Sequence, residues 1–164
     1  MNLARVARIK VADEVWIATA LLHREQPLCD DFTIEEIVER VRLERLTPSL
    51  RPGVRVHATQ HAVANRPPNP GRYRMLFATG RSTRRLFRPG DPSHPERAGS
   101  KVVPRRENLP REYRFLLDWY SAEYSRNSLD PENDRLLALQ GSGKDLWADE
   151  HADEYVRRLR EGWE

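Results

Sequence analysis

The chain has only one cysteine and no long apolar run, and both features limit the class of protein to which it can belong. Cys29 is the only thiol in 164 residues, so the chain cannot form an internal disulfide, which fits a reducing compartment. No stretch approaches the roughly 18 apolar residues that a membrane-spanning helix needs, and the N-terminal sequence MNLARVARIK has no hydrophobic signal core. We therefore expect a soluble, cytoplasmic protein.

Two stretches that resemble ligand-binding motifs lack the residues that the chemistry requires. LQGSGKDLW resembles a phosphate-binding loop, but Ala138 replaces the first glycine and Asp145 replaces the hydroxyl residue that holds magnesium. His57 and His61 have the i, i+4 spacing of a helical zinc site, but Ala58 replaces the glutamate of a zinc protease, and a structural metal would need ligands from elsewhere. We expect no cofactor, no metal site and no enzymatic activity.

Acidic residues are scarce in the middle of the chain and abundant at its end. Between residues 51 and 106 there are 13 Lys and Arg but only Asp91 and Glu96, whereas residues 126–164 hold ten Asp and Glu against six Lys and Arg. A clustered positive field attracts phosphate backbones, and an acidic segment is repelled by them. The two regions are therefore expected to have different partners.

Apolar residues at helical spacing predict three helices before Pro67. The first covers KVADEVWIATALLHREQ and closes at Pro27. The second begins with Thr33 as N-cap and has Glu36 three residues later, which is the pattern of a capping box. The third has Pro52 in its first turn and must end before Pro67.

A β-hairpin is predicted after the third helix. YRMLFATGRSTRRLF contains two short β-prone runs around a Thr-Gly-Arg-Ser turn. After a loop, LPREYRFLLDWYSAEYS predicts an amphipathic helix that starts at Pro110 and whose apolar stripe packs either on the domain or on a second copy of the chain. We expect a mainly α fold with a small β-hairpin over residues 1–125, followed by an extended helical tail over residues 126–164.

The order helix, helix, helix, hairpin resembles the winged helix-turn-helix domain, which implies binding of duplex DNA. The third helix would enter the major groove, where Arg and Gln suit base edges, and arginines of the hairpin would neutralise phosphates. A solvated basic surface without a ligand is the alternative, and arginines alone do not distinguish DNA from RNA. The predicted DNA-binding residues are Arg51, Arg55, His57, Gln60, Arg81, Thr83, Arg84 and Arg85.

The tail carries a second resemblance, to the C-terminal toxin-binding segment of bacterial type II antitoxins, particularly the VapB-like and Phd-like antitoxins that partner PIN-domain ribonucleases. It covers only about the last 30 residues of the chain. These antitoxins usually have a small β-containing dimerisation domain at the N-terminus, and here a winged-helix-like unit takes its place. The resemblance rests on Leu137, Gly141, Gly143, Lys144, Trp147, the run DEYVRRLR and Trp163.

This second resemblance implies that the tail binds a protein toxin. Two short amphipathic elements are too small to bury their own apolar side chains, so a groove on a partner would bury them, with tryptophans as anchors. A PIN ribonuclease has a cluster of carboxylates that binds magnesium, which Arg157 or Arg158 is expected to enter. The predicted toxin-binding residues are Leu136, Leu137, Leu139, Lys144, Trp147, Tyr155, Val156, Arg157, Arg158, Leu159 and Trp163.

The sequence therefore predicts an antitoxin that binds its own promoter and neutralises a toxin, as a homodimer or in a toxin–antitoxin hetero-oligomer. Two rivals stay open. One is a winged-helix transcription regulator, or a DNA-processing accessory factor, whose tail folds onto its own domain. The other is an enzyme acting on nucleic acid, for which the basic region offers few acidic metal ligands.

Overall fold

The computed structural model describes residues 9–126 of the chain. All of the predicted toxin-binding residues, from Leu136 to Trp163, lie outside this part. The described part is mainly helical with a small antiparallel sheet, which confirms the predicted fold class at that level. None of its helices combines the length and the apolar character that crossing a bilayer requires.

The helices and strands occur in the order helix, strand, helix, helix, strand, strand, helix. The helices are α1 (Val11–Glu25), α2 (Ile34–Glu44), α3 (Gly53–Val56) and α4 (Phe115–Trp119). A π-helical turn at His57–His61 continues α3, and we call residues 53–61 together helix 3; a second π-helical turn, Tyr120–Tyr124, continues α4. The strands are β1 (Phe32–Thr33), β2 (Leu76–Ala78) and β3 (Thr83–Leu86), and short 3₁₀ turns cover Pro95–Arg97, Arg106–Asn108 and Arg111–Tyr113.

The first helix, α1, is the centre of the hydrophobic core. Every residue from 12 to 20 is buried, although the apolar spacing alone predicts one buried face. The Trp16 side chain is fully buried, and its ring centroid lies 6.0 Å from that of Tyr120. The buried Glu14 carboxylate accepts hydrogen bonds from Arg51 and Thr47, so its charge is compensated.

The second helix, α2, begins with the predicted capping box. The Thr33 hydroxyl accepts a hydrogen bond from the Glu36 N–H at 3.2 Å, and the Glu36 carboxylate accepts one from the Thr33 N–H at 2.7 Å. These two bonds satisfy N–H groups that have no partner within the helix. The helix ends at Glu44, and the next residue, Arg45, has a φ of 51°, in the left-handed region, where the chain turns away from the helix.

The sheet consists of the predicted hairpin and one strand that the sequence pattern misses. Strands β2 and β3 are antiparallel, with Leu76 opposite Leu86, and residues 79–82 form the hairpin turn. Strand β1 pairs with the other edge of β3, with Phe32 opposite Arg84, so the strand order is β1-β3-β2. Two residues are too few to show the alternation that predicts a strand.

The apolar stripe of the last helix packs on its own domain. Leu116, Tyr120 and Tyr124 are buried in the core. The Tyr124 hydroxyl donates to the Leu86 carbonyl at 3.0 Å, and the Tyr120 hydroxyl donates to the Phe87 carbonyl. The stripe is therefore covered within one chain, which answers the alternative that the sequence leaves open.

A buried histidine joins α1 to the sheet. The His23 Nε2 atom accepts a hydrogen bond from the Leu86 N–H at 3.3 Å, and the ring packs edge-on against Phe32. Burial lowers the pKa of His23 to about 4, and the nearby charges of Arg88 and Arg85 contribute. The imidazole is therefore neutral at physiological pH.

This pKa predicts a loss of stability in acid. The ordinary histidine pKa of 6.5 applies to the unfolded chain, so the stabilisation is complete above pH 6.5 and is lost as pH falls toward about 4. The loss is about 3 kcal/mol, at about 1.4 kcal/mol per pKa unit. Chemical denaturation across this range is expected to show this loss in the native chain but not in His23→Gln, which keeps an acceptor and does not titrate. Equal pH dependence in both proteins would contradict the assignment.

Candidate nucleic-acid interface

Helix 3 presents one exposed stripe to solvent. The exposed residues at the start of this helix and along it recur at helical spacing, and we call them the exposed stripe: Pro52, Arg55, Val56 and Thr59. The opposite side packs into the core through Val54 and Ala58. The core therefore fixes which side of helix 3 a ligand can reach.

Arg55, the one arginine of the exposed stripe, is held by a carboxylate. Its Nη1 donates to Oε1 of Glu35 at 2.7 Å, and its Nη2 donates to Oε2. The two side chains are 54% and 71% exposed. The hydrogen bonds from Arg55 hold the pKa of Glu35 below its usual value, so Glu35 is ionised at neutral pH.

Arg84 is not a surface residue, which corrects the prediction that it contacts DNA. Its guanidinium is fully buried and donates to four carbonyls, those of Ala58, Thr59, Gly80 and Thr83, at 2.7–3.2 Å. Burial lowers the pKa of Arg84 to about 10, which still leaves it charged at neutral pH. The physical reason is strand alternation: Arg84 and Leu86 point to the buried face of β3, whereas Thr83 and Arg85 point to the other.

A second buried arginine, Arg97, also donates to carbonyls at the end of helix 3. Arg97 donates five hydrogen bonds of 2.6–3.3 Å to carbonyls and is fully inaccessible to solvent. Two of these carbonyls belong to Gln60 and His61, the last residues of helix 3. Arg84 and Arg97 together therefore cap the last four carbonyls of the helix, where cations are favoured by its dipole.

Arg51 and Arg85 are also paired with carboxylates of the same domain, so they do not extend the exposed stripe. Arg51 donates to the buried Glu14 carboxylate and to the Ile9 carbonyl. Arg85 makes two parallel hydrogen bonds to Asp91 at 2.7 and 2.8 Å, and its guanidinium lies over the Phe77 ring. Both predicted DNA contacts are thus half-buried ion pairs that join segments of the domain.

The remaining predicted residues of helix 3 lie beside the exposed stripe. His57 Nδ1 is 2.8 Å from the Gly53 carbonyl, and burial lowers the pKa of His57. The Gln60 amide donates to the Pro67 carbonyl at 3.3 Å. The His57 and His61 rings pack edge to face at 4.9 Å between centroids. The Gln60 hydrogen bond joins helix 3 to the loop that follows it.

The hairpin turn carries Arg81, one of the predicted DNA-binding residues, and this side chain is exposed. Thr83, also predicted, is half-buried, and its hydroxyl accepts a hydrogen bond from Thr79 at 2.9 Å. The Gly80 carbonyl in the turn accepts from Arg84, which also binds the end of helix 3. The turn and the exposed stripe are therefore joined through one buried side chain.

The surface charge is smaller than the sequence count implies. Of the 13 Lys and Arg residues between residues 51 and 106, two are buried and five form ion pairs with carboxylates. Four of the five carboxylates lie outside this segment. Among the residues that the structure describes, the exposed arginines of this segment without a carboxylate partner are Arg72, Arg81 and Arg105. The positive field is thus concentrated at a few points.

Val56 and Thr59 are members of the exposed stripe that the sequence interpretation missed. Val56 is 44% exposed, and the Thr59 hydroxyl donates to the Arg55 carbonyl. Their i, i+3 spacing, opposite the buried Val54 and Ala58, is the signal that could have identified them. An exposed valine on a helix beside an arginine offers apolar contact as well as charge.

Within residues 9–126 no group of three or more His, Cys, Asp or Glu side chains is placed to hold a metal. In comparisons with known proteins, no family model, no curated protein and no solved structure matches the chain. The functional inference therefore depends on the exposed stripe and the hairpin turn.

Proposed function

We propose that the described domain is a winged helix-turn-helix domain that binds duplex DNA, with helix 3 in the major groove and the hairpin turn on the adjacent backbone. The observation that carries this proposal is the exposed stripe of helix 3, which Arg84 joins to the arginine-bearing hairpin turn. Three helices followed by an antiparallel hairpin support the same conclusion.

The residues of the exposed stripe suit the edges of base pairs. An α-helix is about 10–12 Å in diameter and fits a major groove about 12 Å wide. Arg55 can donate to guanine O6 and N7, Thr59 can donate or accept, and Val56 can contact a thymine methyl group. Arg81 would bind a flanking phosphate, which fixes orientation without reading sequence.

Arg81→Glu tests the hairpin turn. We expect it to weaken binding to a mixed-sequence duplex about tenfold at moderate salt and to reduce the slope of log K against log salt by about one, because one phosphate contact is lost. The matched control is Arg105→Glu, which makes the same charge change at another exposed arginine without a described carboxylate partner. Fluorescence anisotropy measures both. Equal losses in the two variants would show that only net charge matters.

We also propose that residues 126–164 bind and neutralise a protein toxin, with a PIN-domain ribonuclease as the expected class. This part is supported by the resemblance of the tail to antitoxin segments and by its acidic balance, which keeps it from competing for DNA phosphates. The whole protein would then be an antitoxin that represses its own promoter.

The tail's role is tested with the product of the neighbouring reading frame. We expect the full chain to co-purify with that protein and to suppress its ribonuclease activity. Trp147→Ala combined with Trp163→Ala should abolish both, because buried aromatic anchors dominate such interfaces. Arg157→Glu with Arg158→Glu should keep binding but lose inhibition. Full inhibition by the arginine variant would reject these residues as the group that enters the carboxylate cluster.

A further inference from the structure

The pair of Arg55 and Glu35 has little to do with holding the fold together. Both side chains are largely exposed, and ion pairs of this kind add little stability because solvent screens them. The half-buried pair of Arg85 and Asp91, whose side chains are only 13% and 14% exposed, contrasts with it. The Arg55–Glu35 pair is therefore expected to affect ligand binding at the exposed stripe more than it affects stability.

Glu35 occupies the end of the guanidinium that a ligand would use. Both terminal nitrogens of Arg55 donate to its carboxylate, so a phosphate or a base that uses the same two donors must displace Glu35. Glu35 is in the first turn of α2, where the helix dipole favours its negative charge. An approaching phosphate therefore meets a neutralised arginine and an anion.

A G·C base pair differs from a phosphate in what it offers these two residues. A phosphate has only acceptors, so it can satisfy Arg55 but repels Glu35. In the major groove, a G·C pair presents the O6 and N7 acceptors of guanine to an arginine and the N4 amino donor of cytosine to a carboxylate. A base pair, unlike a phosphate, provides partners for both members of the ion pair, and guanine is the base that offers Arg55 two acceptors side by side.

We propose that Glu35 is a specificity-determining residue of the DNA-binding surface. It suppresses binding of Arg55 to the phosphate backbone and releases Arg55 where a G·C pair in the major groove replaces the lost hydrogen bonds. This inference rests on the proposed DNA-binding function and adds to it a preferred base pair and a residue that rejects other contacts.

Glu35→Gln tests the proposal, since it removes the charge and keeps the size of the side chain. On a mixed-sequence duplex, the released Arg55 adds one phosphate contact, so the slope of log K against log salt should steepen by about 0.9 and affinity at about 0.1 M salt should rise about eightfold. At the base pair that Arg55 contacts, the preference for G·C over A·T should fall at the same time.

The chain offers a closely matched control on the same helix. Glu39 makes two hydrogen bonds to Arg42, and both side chains are about half exposed, at 53% and 56%. Glu39→Gln therefore frees an arginine and changes the net charge by the same amount, away from the exposed stripe. It should leave affinity and base preference close to those of the native chain. Adding Arg55→Gln to Glu35→Gln should cancel the gain.

The outcomes separate the inference from the function on which it rests. A gain in Glu35→Gln alone, cancelled by Arg55→Gln, supports the proposal. If the native chain binds duplex DNA and Glu35→Gln behaves like it, or if Glu39→Gln gains equally, the role of Glu35 is overturned while DNA binding stands. If the native chain and both variants fail to bind duplex DNA even at low salt, the proposed function and the inference are overturned together.

Discussion

Replacing Arg97 by methionine is expected to lower the free energy of unfolding by about 5 kcal/mol, an amount comparable to the total stability of many small domains. The buried guanidinium donates to five carbonyls of helix 3 and of the loops after it. Methionine fills similar volume but donates nothing, so these carbonyls are left without their charged donor, at about 1–3 kcal/mol for each one that water cannot reach. Relief of the buried charge offsets part of this loss.

The loss is measured by urea denaturation of the full chain. Arg111→Met is the control, because Arg111 is exposed and such a surface change is expected to stay within about 0.5 kcal/mol. If Arg97→Met is too unstable to purify, Arg97→Lys keeps the charge but loses the planar fork, and it should still be clearly destabilised. A change below about 1 kcal/mol in the methionine variant would show that water replaces the guanidinium.

Replacing Arg84 by methionine is expected to cost about 4 kcal/mol for the same reason, since four carbonyls lose their donor. This variant also tests how the interface is built. Arg84 joins the end of helix 3 to Gly80 in the hairpin turn, so its loss should loosen the turn against the helix. We therefore expect DNA affinity to fall even under conditions in which the variant is fully folded.

Comparison with Arg97→Met separates the two effects of the Arg84 change. Both variants uncap helix 3, but Arg97 has no described hydrogen bond to the hairpin turn. DNA affinity of the folded protein should therefore fall more in Arg84→Met than in Arg97→Met. Equal affinity in the two folded variants would show that the turn keeps its place without Arg84.

Local signals in the sequence were sufficient for most of the fold. Thr33 and Glu36 determine where α2 begins, because a capping box involves only residues three apart. The Thr-Gly-Arg-Ser turn likewise fixes the hairpin between β2 and β3. Strand β1 was missed because its two residues acquire their partner from β3, about 50 residues further along the chain.

The candidate site was harder to predict because charge in a sequence does not reveal where an arginine points. Arg81, Arg84 and Arg85 are neighbours in the chain, yet the first is exposed, the second is buried among carbonyls and the third is paired with Asp91. Strand alternation could have separated Arg84 from Arg85. The partners of Arg51 and Arg55 lie in α1 and α2, and only the packing of these helices brings them together.

The central claim is that the exposed stripe of helix 3 and the hairpin turn contact duplex DNA. Backbone amide NMR spectra of the full chain, recorded with and without a short mixed-sequence duplex at low salt, test this most directly. We predict that the largest changes cluster at residues 53–59 and 79–82, with small changes in the last helix, residues 115–124. Changes concentrated in that last helix, or none in residues 53–59 and 79–82 at saturating duplex, would contradict the claim.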